Sequence, residues 1–313
     1  MTYFDLLTTV AVSAGARTAV PCPLREELNV PEQPTQSGND AYVAAVHDKG
    51  LQFDLRTMSR RRMLTALGGA GVLTAVGGGL LANRTAATAA CAAEVDTETA
   101  GPFPADGSNG PDVRTISGVV RGDVRSSFGG ASGVAAGVGL TFSLTLLNLR
   151  CVPLAGAAVY AWHCDREGRY SLYSSGVTNR NYLRGIQVAD SSGTVTFTSI
   201  YPACYTGRWP HIHFEVYASL ADATSGAGPI RKTSQIALPE TVSKTVYASA
   251  TGYSQSVTNM SRITLSSDMV FGDDLAAREM ATVTGSVSAG YMASLAVTVD
   301  PTKTSSGGGR LSA

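Results

Sequence analysis

An all-β fold is predicted by three features of the chain: short runs that alternate apolar with polar residues, turn-forming residues between those runs, and no amphipathic helix of useful length. The clearest run is GLTFSLTLLNL, residues 139–149, which sets Leu140, Phe142, Leu144 and Leu146 against Thr141, Ser143, Thr145 and Leu147. Successive strand side chains point to opposite faces, so this segment has one face for a core and another for water. GAAVYAWH, GTVTFTSI, HIHFEVYA, TSQIAL, SRITL and GYMASLAVTV continue the series, with Gly, Asp, Pro and Ser between them. The pattern predicts a β-sandwich over residues 91–300, followed by a flexible tail over 301–313. A sandwich needs only about 100 residues, so long connections are expected here. The most conspicuous is 168–190, GRYSLYSSGVTNRNYLRGIQVAD, with Tyr170, Tyr173 and Tyr182.

The first 90 residues differ in character. Residues 1–57 show neither a helical nor a strand period and read as a non-native or disordered extension. The next segment, 58–90, begins MSRRRMLT and runs into an uncharged stretch with six glycines between Met63 and Ala82, then into small residues. Ser59, Arg60, Arg61, Arg62, Met63, Leu64 and Thr65 resemble a twin-arginine export signal, which predicts a start at Met58 and a secreted or envelope-associated product. A membrane anchor is the competing reading of the same run, and its glycines weaken it. No stable membrane insertion is expected of the mature domain.

Composition excludes some partners. Lys plus Arg and Asp plus Glu number 24 each, the charged fraction is 15%, and no basic patch interrupts the strand-rich region, so a nucleic-acid partner is not expected. With Cys22 in the N-terminal extension, Cys91, Cys151, Cys164 and Cys204 remain, an even number suited to an oxidising compartment and open to three pairings.

The chemistry concentrates in GRWPHIHFEV, residues 207–216. In a strand, His211 and His213 share a face with Glu215 and Tyr217, while Ile212, Phe214 and Val216 take the other. Two neutral imidazoles on one face can reach one cation. Tyr205 lies six residues before His211, beyond a Gly and a Pro, so a turn can fold its phenol over the strand. Tyr170 follows an Asp-x-x-Gly turn after the strand ending in Trp162 and His163. A phenol, with a pKa of about 10, is a poor zinc ligand at neutral pH. A trivalent iron is charged enough to hold it as phenolate. His163 itself reads as structural.

GRYSLY, NYLRGIQVADSSGTVTFTSIYPACY and GRWPHIHFEV, in that order and spacing, resemble the intradiol ring-cleavage dioxygenases, in particular their exported branch. The likeness runs from TETAGPFPADG at residue 97 to the SQIALPE segment at 234, and more loosely to about residue 299. It implies a β-sandwich enzyme with one non-haem Fe(III) that cleaves a catechol between its two hydroxylated carbons, using O2 and yielding a muconate-type diacid. It further implies Tyr170 and His213 as equatorial ligands and Tyr205 and His211 as axial ones. Tyr205 would act as a base toward the incoming catechol, and Arg208 and Gln235 would stand beside the ring. The intervening segment here is longer than in the family's pattern, which loosens the match at Gln235. Exported relatives look similarly equipped with cysteines, which implies a Cys91–Cys151 disulfide and leaves Cys164 with Cys204. Competing readings are a non-catalytic exported binding module and a zinc hydrolase, neither of which explains the paired tyrosines.

Overall fold

The computed structural model describes residues 92–305. The expected N-terminal extension and export signal, Cys91 and residues 306–313 of the expected tail lie outside the described residues. Eight strands are found among the described residues: β1 (Gly139–Leu147), β2 (Ala158–Trp162), β3 (Arg184–Val188), β4 (Thr194–Ile200), β5 (His211–Tyr217), β6 (Ile230–Ala237), β7 (Thr282–Ser286) and β8 (Gly290–Thr298). They form two four-stranded sheets, β4-β1-β8-β7 and β3-β2-β5-β6. Neighbours are antiparallel except β1 and β8, which run parallel.

The alternation read in β1 decides its packing. Leu140, Phe142, Leu144 and Leu146 are buried, while the threonines and serine between them are partly open. One apolar cluster joins these side chains to Val195 and Phe197 of β4, Val159 and Ala161 of β2, and Ile212, Phe214 and Val216 of β5. Phe142 and Phe197 stack with ring centroids 5.0 Å apart, as expected of cross-strand partners in register. Each such buried side chain contributes about 1.5–3 kcal/mol relative to exposure.

The second sheet is covered on its other face as well. Tyr160 and Trp162 of β2, Ile186 of β3 and Tyr217 of β5 pack in a second cluster with Ala100, Phe103, Val113, Tyr170 and Tyr173. Residues 95–105 lie along this sheet as a strap. Val95 N–H donates to Thr298 O at 2.9 Å and Glu98 N–H to Thr233 O at 2.9 Å. At the far end, Pro104 O accepts from Tyr160 Oη at 2.7 Å and from Arg184 Nη1 at 2.9 Å. As a result every residue of β5 is buried.

Several expectations are corrected. The 168–190 connection contains β3, whose Arg184 is buried yet fully engaged by Ser171, Pro104 and Tyr160. The SRITL segment is not a strand: Thr264 caps a 3-10 turn at Leu265–Ser267 through reciprocal bonds with Ser267. Three α-helices occur among the described residues, α1 (Leu220–Thr224), α2 (Glu240–Ser249) and α3 (Ser254–Met260). α2 is amphipathic, burying Ser243, Val246 and Tyr247 at helical spacing behind a surface Glu240–Lys244 pair. Its Thr, Val and Ser content resembles a strand, and packing overrides that preference.

The expected Cys164–Cys204 disulfide is absent. Both are buried free thiols, with Cys164 Sγ directed at Ala203 O (3.6 Å) and Cys204 Sγ at Arg208 O (3.4 Å). Burial is the first cause holding both well above the ordinary thiol range. Cys151 is disulfide-bonded, to a partner outside the described residues.

Candidate metal centre

β5 carries the two histidines at the centre of the second sheet. Its antiparallel register sets His213 opposite Trp162 of β2 on one side and Gln235 of β6 on the other. Directly opposed residues project from the same face, so these three form one row across the sheet. The Trp162 and His213 rings lie 2° from parallel with centroids 5.0 Å apart. On the other side of the imidazole, a Cβ placed on Gly101 of the strap would come within 3.2 Å of His213 Cε1. Gly101 has φ +69°, a left-handed conformation that glycine adopts without strain.

Two arms bring the phenols to this row. The first follows β2: Asp165 Oδ1 accepts the N–H groups of Glu167 and Arg169, and Gly168 N–H donates to Asp165 O, closing the turn that precedes Tyr170. The second runs from β4 to β5 and carries Tyr205. The arms touch at Gly168, φ +83°, where an added Cβ would come within 3.1 Å of Tyr205 Cβ. Phe103 of the strap covers Tyr170, with ring centroids 4.9 Å apart.

Four donor atoms meet as a result. Tyr170 Oη lies 3.5 Å from Tyr205 Oη, 3.4 Å from His211 Nε2 and 3.2 Å from His213 Nε2. His211 Nε2 lies 3.2 Å from Tyr205 Oη and 3.1 Å from His213 Nε2. N and O donors bind a first-row cation at about 2.0–2.2 Å, so neighbouring donors at angles of about 90–120° stand about 2.8–3.8 Å apart. All five separations fall in that window. His211 Nδ1 is engaged by Trp209 O, which fixes the tautomer that leaves Nε2 free to ligate. The residues present therefore fit a metal ion.

Electrostatics narrow the kind of ion. Burial, and then the nearby Arg208 charge, push the His211 imidazole well below its ordinary range, and burial and His211 do the same to His213. Both are neutral and available as ligands. Burial, followed by neighbouring Tyr205, pushes the Tyr170 hydroxyl well above its ordinary range. A cation bound beside the phenol would offset that and favour its phenolate form, the more so the higher its charge.

Arg208 and Gln235 adjoin the donors and bond to each other, Arg208 Nη2 to Gln235 Oε1 at 2.7 Å. Gln235 Nε2 donates to Thr99 O of the strap at 2.9 Å. The other residues named in the sequence, and Trp209 beside the histidines, serve structure. His163 bridges Cys164 O and Ser199 Oγ, Tyr173 Oη donates to Asn109 O, Tyr182 Oη to Asp165 and Trp209 Nε1 to Leu238 O. Trp162, Gly101, Phe103 and Asp268 were not singled out in the sequence as parts of the site. Trp162 could have been found by extending the His213 row across its neighbours, whereas nothing local to Asp268 marks it as a partner of Arg208.

Residues 127–223 match the model of the Dioxygenase family, Dioxygenase_C, a span that includes Tyr170, Tyr205, Arg208, His211 and His213. A chlorocatechol 1,2-dioxygenase of Rhodococcus opacus is 30% identical over 66 residues, 21% of this chain and 26% of that protein. The match thus spans about a quarter of that relative's length. The solved intradiol ring-cleavage dioxygenase of Tetranychus urticae shares the fold, with a TM-score of 0.55 and 23% identity over 69% of this chain and 98% of that one.

Proposed function

Because the chain resembles the intradiol ring-cleavage dioxygenases over the segment that holds all four donors, we propose that it opens catechol-type rings with O2, using one ferric ion. The observation that carries this reading is the pairing of two phenols with two neutral imidazoles at ligand spacing. Residues 91–300 are the catalytic domain in this reading, and the two sheets facing one shared core are a β-sandwich. Ferric iron, when bound, would draw a chelated catechol toward carbanion character and so make the ring reactive to O2.

The chain's own residues do the rest. Tyr170, Tyr205, His211 and His213 hold the ion. Tyr205 is the more exposed of the two phenols, and its Oη accepts a proton from the incoming catechol. The Arg208 guanidinium stabilises negative charge that develops on the ring, and Gln235 orients it. Phe103 and Trp162 exclude water from Tyr170 and His213. The bond between the two hydroxylated carbons breaks and both oxygen atoms of O2 end in a muconate-type diacid. Residues 58–90 are read as a twin-arginine export signal, and replacing Arg60 and Arg61 with lysine should leave the protein inside the cell.

The test is the visible spectrum of the purified protein with iron measured on the same sample. A broad tyrosinate-to-iron band that shifts when catechol is added without oxygen is the expected result. Tyr170→Phe should remove much of that band and lower ring opening by about 100-fold or more. A colourless protein that takes up no iron would overturn the proposal in favour of a binding module.

A further inference from the structure

Arg208 follows a turn closed by its own N–H donating to Tyr205 O, and its guanidinium is buried. A long side chain of this kind loses rotamer freedom when it is fixed in one orientation, so an active guanidinium needs to be held. Gln235 grips Nη2 from one side. The other side is held by Asp268, a residue 60 positions away, whose Oδ2 lies 3.1 Å from Arg208 Nε. The Asp268 side chain is fully buried and that of Arg208 is 4% exposed, so the pair is shielded from solvent.

Asp268 does more than pair a charge. The same Oδ2 accepts Trp209 N–H at 2.6 Å, and Trp209 O engages His211 Nδ1. One carboxylate oxygen therefore fixes the guanidinium and the peptide that leads to His211. Asp268 is itself immobilised, because its Oδ1 accepts Val270 N–H at 2.9 Å and Phe271 N–H at 3.0 Å, and its own N–H donates to Thr264 O at 2.9 Å. The Phe271 ring that follows lies 6.0 Å from Arg208 Cζ and 6.5 Å from the His211 ring. Thus the 264–271 segment forms a rigid back wall for Arg208 and His211.

We propose that Asp268 is a positioning residue that holds Arg208 in the orientation needed for ring opening, acting through the guanidinium and not on substrate. This rests on the catechol-opening reading above for its kinetic consequence, though the hold itself does not. Asp268→Asn is the informative change, because its amide oxygen still accepts from Val270 and Phe271 while its NH2 can no longer accept from Arg208 and Trp209.

Three measurements on the iron-loaded protein test it, with gallium(III) as a diamagnetic substitute for NMR. Asp268→Asn should lower kcat for catechol by about tenfold or more while KM stays within about threefold and the visible band keeps its position. The double variant Arg208→Gln with Asp268→Asn removes both charges and should be no slower than Arg208→Gln alone. The Arg208 Nε–H resonance should exchange slowly in the parent protein and rapidly in Asp268→Asn. Unchanged kcat in Asp268→Asn, or losses that multiply in the double variant, would overturn the inference. A parent protein that opens no catechol would instead refute the functional reading, and the Nε–H exchange then decides the role of Asp268 by itself: retained protection in Asp268→Asn refutes it, loss supports it.

Discussion

β1 and β5 are both interior strands with a hydrogen-bonded partner on each side, yet β1 leaves every second side chain partly open and β5 leaves none. The difference is what lies on the outer face. Over β1 the threonines and serine meet neighbours such as Thr196 and Thr194 in a layer that still reaches water. Over β5 the strap and the two tyrosine arms close down on His211, His213 and Glu215. A polar group buried on such a face costs about 1–3 kcal/mol when it has no partner, and here Glu215 Oε2 accepts from Tyr217 Oη while Glu215 Oε1 and His213 Nδ1 meet no hydrogen-bond partner among the described residues. That covered polar face is where the candidate metal centre sits.

The contrast predicts that stability and site chemistry separate by strand. Leu144→Ala in β1 should have the largest effect on folding, a loss of about 2–5 kcal/mol in urea titration. Its iron content per folded molecule and its visible band should stay those of the parent, and a shifted band would break the separation. Gly101→Ala should cost less, about 1–2 kcal/mol for a left-handed residue with a side chain, but it should move the band by pressing on His213. An unmoved band would show that the strap yields without touching the imidazole.

The smallest effect concerns pH. Glu279, 1% exposed, lies beside the end of β6, its carbonyl accepting Ala237 N–H. Burial, then Asp274 and Asp96, push its carboxyl up from 4.5 to about 7. Between those values the folded chain binds a proton that the unfolded chain has released, so this stabilisation is complete below about pH 4.5 and is lost as pH rises through about 7. Glu279→Gln should flatten the fall in Tm across that interval, and an unaltered slope would assign it to other groups.

These two strands also explain what could be read in advance. β1 was legible because one wet face produces strict alternation. The His-x-His pair and both tyrosines could be placed from turn residues and spacing, since Gly168 and Gly207 mark where the arms bend. β3 was hidden because Arg184, Gly185 and Gln187 lack strand-forming character, and its buried arginine is satisfied only by residues distant in sequence. β7 was hidden because it is an edge strand with an exposed, weakly patterned TVTGS. Asp268 was invisible for a related reason: its importance depends on two partners 59 and 60 residues away, Trp209 and Arg208, and no local pattern records them. The expected bridge between Cys164 and Cys204 failed on geometry, as each thiol faces a backbone carbonyl.

The parallel pairing of β1 with β8 bears on how the molecule is made. β1 spans Gly139–Leu147 and its partner spans Gly290–Thr298, so a nascent chain carries half of its central pairing exposed until the last strand leaves the ribosome. Val95 at the start of the strap waits for the same strand, since its N–H donates to Thr298 O. A chain clipped before β8 would leave one edge of β1 and the start of the strap unpaired, and is expected to be more open to proteolysis than the whole chain.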